Sequence, residues 1–309
     1  MFSIEDIIKQ DFIRSGRSYE ESSLLARSMY NEYTTYKHLL DPDFDTTITK
    51  AGTCKDNAST IEVKRDRLTE LAYTKFLASN FHSISNPNGK NGLDIKLDDI
   101  NCWGEYKSIR LGEAGNGKSD FISRLTNALS KKFVMVQKNR NANSSAKNYI
   151  ADNQPVILFF ELDKKVLLTF KDVLLDDAKS DYLPIYLQAL FPVDNFCNEC
   201  ELIIDKKTGK CPLERRYFAD KILKLKDNGT EWICDGSAIS AVVFSETITS
   251  ILFESGLDDE WDNDLIMIHN PFARNPVKEF LFPTWYEYRC TVDEKEHKFT
   301  VTEIHPKNT

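Results

Sequence analysis

No apolar run in this chain approaches the roughly 18 residues that a membrane-spanning helix needs. VILFF at 156–160 is typical of its longest, so no membrane partner is expected. Positive charge is not in excess either: 40 Lys and Arg stand against 48 Asp and Glu, a net charge of −8. An acidic total gives no general affinity for nucleic acid and leaves that task to local basic patches. The chain carries seven cysteines, an odd number. Its opening residues, MFSIEDIIKQ, are acidic and amphipathic, unlike a secretory signal. A reducing cytoplasm is therefore the expected location, where the match at Asn228-Gly-Thr to a glycosylation acceptor has no meaning. Of the five histidines, His38, His82, His297 and His305 show no pairing with a nucleophile or metal ligand. No Ser-His-Asp or Cys-His arrangement stands out, and no internal repeat is visible.

At 309 residues the chain can bury a large core, as two domains or one elaborated one. Ser3 and Asp6 are spaced to cap a helix striped by Ile4, Ile7 and Ile8. Residues 19–40 read as a second helix, with Leu24, Leu25, Met29, Tyr33 and Tyr36 near helical spacing. Residues 43–60 are polar and read as a connector. Residues 61–80 form a helix burying Leu68, Leu71 and Leu77. A strand at 81–85, a turn cluster at 86–92 and a hairpin follow. Residues 121–133 are helical, with Phe121, Leu125, Leu129 and Phe133 at i+4 spacing, and 133–137 read as a short strand. The Asn- and Ser-rich 139–153 reads as a mobile surface loop. Residues 155–162 are a buried strand, with 166–170 as a hairpin partner and 182–190 as a short helix. Helix and strand are not separable at 237–253. A strand at 265–268 and a closing hairpin at 285–291 and 298–304 complete the chain.

The chemistry concentrates in GLDIKLDDINCWGEYK at 92–107. Leu93, Ile95 and Leu97 alternate with Asp94 and Lys96, a polar turn follows, and Glu105 and Lys107 stand two apart on the next extended segment. Residues i and i+2 of a strand share a face. Paired as a hairpin, the two segments would bring Asp94, Glu105 and Lys107 to one end of a sheet. Two carboxylates suit a hard divalent cation such as Mg²⁺ or Mn²⁺. A lysine beside them can assist an attacking water and offset charge developing on phosphorus.

Asp94 followed by Glu105-Tyr106-Lys107 resembles the PD-(D/E)XK, or restriction-endonuclease-like, nuclease superfamily, over roughly residues 61–165. Leu93 stands where the motif's proline would. The resemblance implies an α/β (α+β) fold whose core, a mixed central sheet flanked by helices, spans 61–175. A helical arm at 1–60 would precede it, and a mixed accessory region at 176–309 would follow, as a domain or as part of the same globule. It further implies Mg²⁺-dependent hydrolysis of DNA phosphodiester bonds, in restriction or anti-phage defence by analogy, alone, as a homo-oligomer or with a partner subunit. Asp94, Glu105 and the Tyr106 carbonyl would hold the metal, Lys107 would assist the water, and Glu70 would be a supporting carboxylate.

Other patterns compete or add. Gly112-Glu-Ala-Gly-Asn-Gly117-Lys118-Ser119 matches the phosphate-binding P-loop and resembles P-loop NTPases. It offers an ATP- or GTP-binding regulator as the alternative, with Glu161 or Asp163 near the strand end as its Mg²⁺ carboxylate. The strand before a P-loop is usually nearly all apolar, whereas the preceding segment, GEYKSIRL, carries Glu105, Lys107 and Arg110, which favours a glycine-rich connector capped by Ser119. A catalytically silent nucleic-acid-binding module is a third reading. Cys197, Cys200, Cys211 and Cys234 could form a four-thiolate zinc site, though only the first two have Cys-x-x-Cys spacing. His269 could serve as a base and Arg274 as a phosphate contact. Lys118, Arg124, Lys131, Lys132, Lys138 and Arg140 make one segment strongly basic, a candidate nucleic-acid interface in which Arg124, Lys131 and Lys132 are expected on the solvent side of a helix.

Overall fold

The computed structural model describes residues 3–14, 16–53, 58–86, 93–109, 128, 131–132, 135–136, 138–146, 149–162, 193–194, 200–202, 224–225, 232–233, 239–246, 265–270, 273–281, 286–293 and 298–304. Helix α1 (Ile4–Arg14) opens with a reciprocal cap: the Asp6 amide donates to Ser3 Oγ at 3.1 Å, and Asp6 Oδ2 accepts from the Ser3 amide at 3.1 Å. Helix α2 (Tyr19–Tyr36) is capped by the Ser18 side chain and buries Leu25, Met29 and Tyr33, whereas Leu24 faces solvent.

The stretch expected as a connector holds helix α3 (Phe44–Thr53) instead. Its polar composition hides a short apolar stripe, Phe44, Ile48 and Ala51, all buried. Gly52 is needed there: a Cβ at that position would meet Ile7 of α1 at 2.6 Å. Helix α4 (Ala58–Asn80) lies between this arm and a sheet. Its Leu68 and Leu71 pack with Ile8, Phe12, Leu25 and Phe44 of the arm. Its Tyr73 and Leu77 pack on the sheet with Ile95, Tyr106, Ile157 and Phe159.

Strands β1 (Ile84–Ser85), β2 (Ile95–Leu97) and β3 (Cys102–Ile109) pair antiparallel in sequence order. A 3-10 turn at Asp98–Ile100 closes the β2–β3 hairpin, with Asn101 in the left-handed region at φ 50°, which asparagine tolerates. After β3, helical backbone occurs at Ala128, Lys131, Lys132, Met135, Val136, Lys138, Asn139 and Arg140. The short strand expected at 133–137 is therefore helix at Met135 and Val136; Val136, fully buried, follows Phe133 at the i+3 spacing that a helix also places on one face.

The chain then returns as β4 (Val156–Leu162), parallel to β3. All seven of its residues are buried, as befits a strand covered on both faces. The short strands β5 (Val193–Asp194), β6 (Cys200–Leu202), β7 (Lys224–Leu225) and β8 (Trp232–Ile233) precede β9 (Ala241–Glu246), β10 (Ile266–His269), β11 (Tyr286–Asp293) and β12 (Lys298–Ile304). Residues 241–246, undecided in the sequence, are strand, and β9 lies parallel to β4. Among the described residues the sheet runs β1-β2-β3-β4-β9-β10-β11-β12-β6-β5, with β7 and β8 paired apart from it. The protein is thus α/β with a mixed sheet that continues across residue 175 without a break. No helix among the described residues is long and apolar enough to cross a membrane. The expectations at 166–170 and 182–190 lie outside the described residues.

The segment at 139–153, expected as a mobile loop, is anchored. Asn139 and Ile150 are fully buried, and the Ile150 amide donates to the Asn139 carbonyl at 3.3 Å. Arg140 donates to the carbonyls of Ala151 and Gln154, at 2.8 Å each.

Candidate active site

The register of the hairpin sets the site. Ile95 faces Gly104 across β2 and β3, so the residue before Ile95 falls beside the residue after Gly104. Those residues are Asp94 and Glu105. Gly104 keeps the strands close, since a Cβ there would meet Ile95 Cγ2 at 2.8 Å and Phe159 at 3.1 Å. The Asp94 amide donates to Glu105 Oε2 at 3.0 Å, and Asp94 Oδ2 accepts from the Tyr106 amide at 2.7 Å. Each carboxylate is therefore fixed by main chain from the opposite strand.

Tyr106 turns its ring the other way, stacked on Tyr73 of α4 with centroids 5.1 Å apart. Lys107 Nζ reaches Asp66 of α4 at 3.4 Å. Lys132, from the helical segment between β3 and β4, pairs with Glu105 Oε1. Glu70 is buried on α4, accepting from the Asp41 amide at 2.6 Å and from Arg67 at 2.7 Å. Asp66, Arg67, Glu70, Asp94, Lys107 and Lys132 line a cavity of about 280 Å³ that Thr47 of α3 also borders. The arm, α4, the hairpin and the crossover segment all contribute.

Burial governs the charges. It pushes the Glu105 carboxyl above the usual range, and the neighbouring Asp94 adds to the shift. Asp94 is raised by burial too, against the pull of Lys132 and the Tyr106 amide. Glu70 is pushed up to about 7 by burial and then by Asp94, despite Arg67. Burial alone would push the Lys132 ammonium down; the Glu105 and Asp94 carboxylates more than offset it. Two adjacent acids held above their ordinary values, Glu105 buried and Asp94 half-buried, are relieved by a cation. The pair, oxygen donors only, fits a hard divalent ion. Among the described residues no three His, Cys, Asp or Glu side chains stand at metal-binding spacing, so a cation held by this pair would complete its shell with main-chain or water oxygen.

Two basic residues differ from expectation. Lys132 points into the site and is not on the solvent side; it lies one helical turn before buried Val136, on the same face. Arg140 is buried and bound to main-chain carbonyls, so its guanidinium serves the fold and not a phosphate. Lys131 and Lys138 are exposed. Asp66 and Arg67, which carry no motif in the sequence, lie four and three residues before Glu70 on one helix, each at a spacing that brings it beside Glu70. His269 pairs with Glu287 on β10 and β11, beyond β4 and β9 from the hairpin. Gly112, Gly117, Lys118, Ser119, Arg124, Cys197, Cys211 and Cys234 lie outside the described residues. Cys200 begins β6, opposite Phe299. The chain matches no known protein family, no curated protein and no solved structure.

Proposed function

We propose that the chain is a Mg²⁺- or Mn²⁺-dependent nuclease with a restriction-endonuclease-like core, hydrolysing phosphodiester bonds in DNA. The observation that carries this reading is that Asp94, which lines a cavity with Lys107 and Lys132, donates its amide to Glu105, the acid that Lys132 pairs with. The element order supports it. A helix, three antiparallel strands, a helical crossover and a strand parallel to the third are the sequence of parts such a core needs. A place in restriction or anti-phage defence rests on fold-level analogy alone.

Asp94 and Glu105 would hold the cation, with the Tyr106 carbonyl as the further ligand that the resemblance implies. The cation would supply charge neutralisation at the scissile phosphate. Lys107 carries its ammonium into the same cavity on a half-exposed stem, placed to orient the attacking water and balance charge on phosphorus. Glu70, titrating near neutrality, can hold or release a proton beside Asp94.

Plasmid DNA incubated with the protein and Mg²⁺ should be nicked, and chelator should stop it. Asp94→Ala, Glu105→Ala and Lys107→Ala should each abolish nicking. Intact plasmid at every Mg²⁺ concentration would sink the proposal, and full cleavage by Lys107→Ala would remove that lysine from it.

A further inference from the structure

We propose that Lys132 is a tethered counter-ion that holds the place of a divalent cation on Glu105 and leaves it when the cation binds. The proposal rests on the nuclease reading for its cation, and it adds how the site is held together without one.

The two cavity lysines have different settings. Lys107 comes from β3 itself and pairs with Asp66 at 3.4 Å, where both side chains are roughly two-fifths exposed. Lys132 comes from the crossover segment and contacts Glu105 Oε1, with the two side chains only 18% and 4% exposed. Glu105 Oε2 is already taken by the Asp94 amide, and Asp94 Oδ2 by the Tyr106 amide. Main chain thus fixes one oxygen of each acid, and the ammonium holds the remaining oxygen of Glu105. A carboxylate as buried as Glu105 is destabilising when ionised without a counter-charge, and in the free protein Lys132 supplies one.

A divalent cation and an ammonium compete for that oxygen, since like charges at such range repel strongly in a poorly screened interior. Lysine can yield: its charge rides on a flexible four-carbon stem. The cavity beside Asp66 and Lys107 is the space into which it can move. There Lys132 would join Lys107 in facing a phosphate, so cation arrival would convert a structural lysine into a substrate-facing one.

The test is reductive methylation of the wild-type protein, read lysine by lysine by mass spectrometry, with and without Mg²⁺. Lys132 should label several-fold faster with Mg²⁺, while its exposed neighbour Lys131 stays constant as the internal control. In parallel, Mn²⁺ should bind several-fold tighter to Lys132→Gln than to wild type, and with wild-type affinity to the charge-preserving Lys132→Arg. If Lys132→Gln does not fold, the labelling of wild type decides alone. Mn²⁺ binding to wild type with no change in Lys132 labelling overturns this proposal and leaves the nuclease reading standing. No Mn²⁺ binding to wild type overturns both.

Discussion

Glu70 shows how burial turns a surface residue type into a titrating group. Its carboxyl moves from an ordinary 4.5 to about 7, through burial and the nearby Asp94. The folded state therefore prefers the protonated acid. That preference stabilises the fold fully below the ordinary value and is lost as pH rises through the folded one. The loss amounts to about 3 kcal/mol over that window. Glu70→Gln keeps an acceptor for the Asp41 amide, and Arg67 retains Asp41 and Asp43. Urea denaturation across pH 4.5 to 7 should show stability falling more in wild type than in Glu70→Gln. Parallel curves would place the proton elsewhere. Arg140 gives the opposite lesson, a charge used for architecture. Arg140→Ala should cost about 2–4 kcal/mol, since two charge-assisted bonds to carbonyls are lost, with DNA affinity unchanged at fixed salt.

At the scale of elements, the β2–β3 hairpin is what makes a site of two acids eleven residues apart. Its legibility came from simple period-two alternation: Leu93, Ile95 and Leu97 are buried, with Asp94 and Lys96 between them only partly so. The register was not legible, because it depends on Gly104 admitting Ile95 and Phe159 closely. Gly104→Ala should therefore overpack the hairpin and lower stability by about 1–3 kcal/mol, with a measurable loss of Mg²⁺-dependent nicking as Asp94 and Glu105 separate. Unchanged stability and nicking would show that the strands have slack there. Helix α3 escaped the sequence reading for a different reason. Its threonines and glycine argue for a loop, and only packing of Phe44, Ile48 and Ala51 against neighbouring helices overrides that preference. Lys132 escaped because a lysine next to an apolar stripe ordinarily faces water; its partner, Glu105, is 27 residues away in sequence.

For the whole molecule, a net charge of −8 requires that any nucleic acid be held locally. Among the described residues of the crossover segment, Lys131 and Lys138 are exposed cations. Reversing both to glutamate should weaken DNA binding irrespective of sequence and flatten the slope of log affinity against log salt by about 2. An unchanged slope would move the nucleic-acid path off this segment. The continuous sheet joins the carboxylate hairpin to β9–β12 through β4, so the site sits on a rigid scaffold of the kind that keeps a catalytic pair in place. The claim on which all of this depends is that Asp94 and Glu105 together form a divalent-cation site. The most direct measurement is the stoichiometry of Mn²⁺ binding to wild type and to the isosteric variants Asp94→Asn and Glu105→Gln, by calorimetry at mildly alkaline pH. Wild type should bind Mn²⁺ saturably and each variant should lose that binding while staying folded. Binding that survives in both variants, or is absent from wild type, would contradict it.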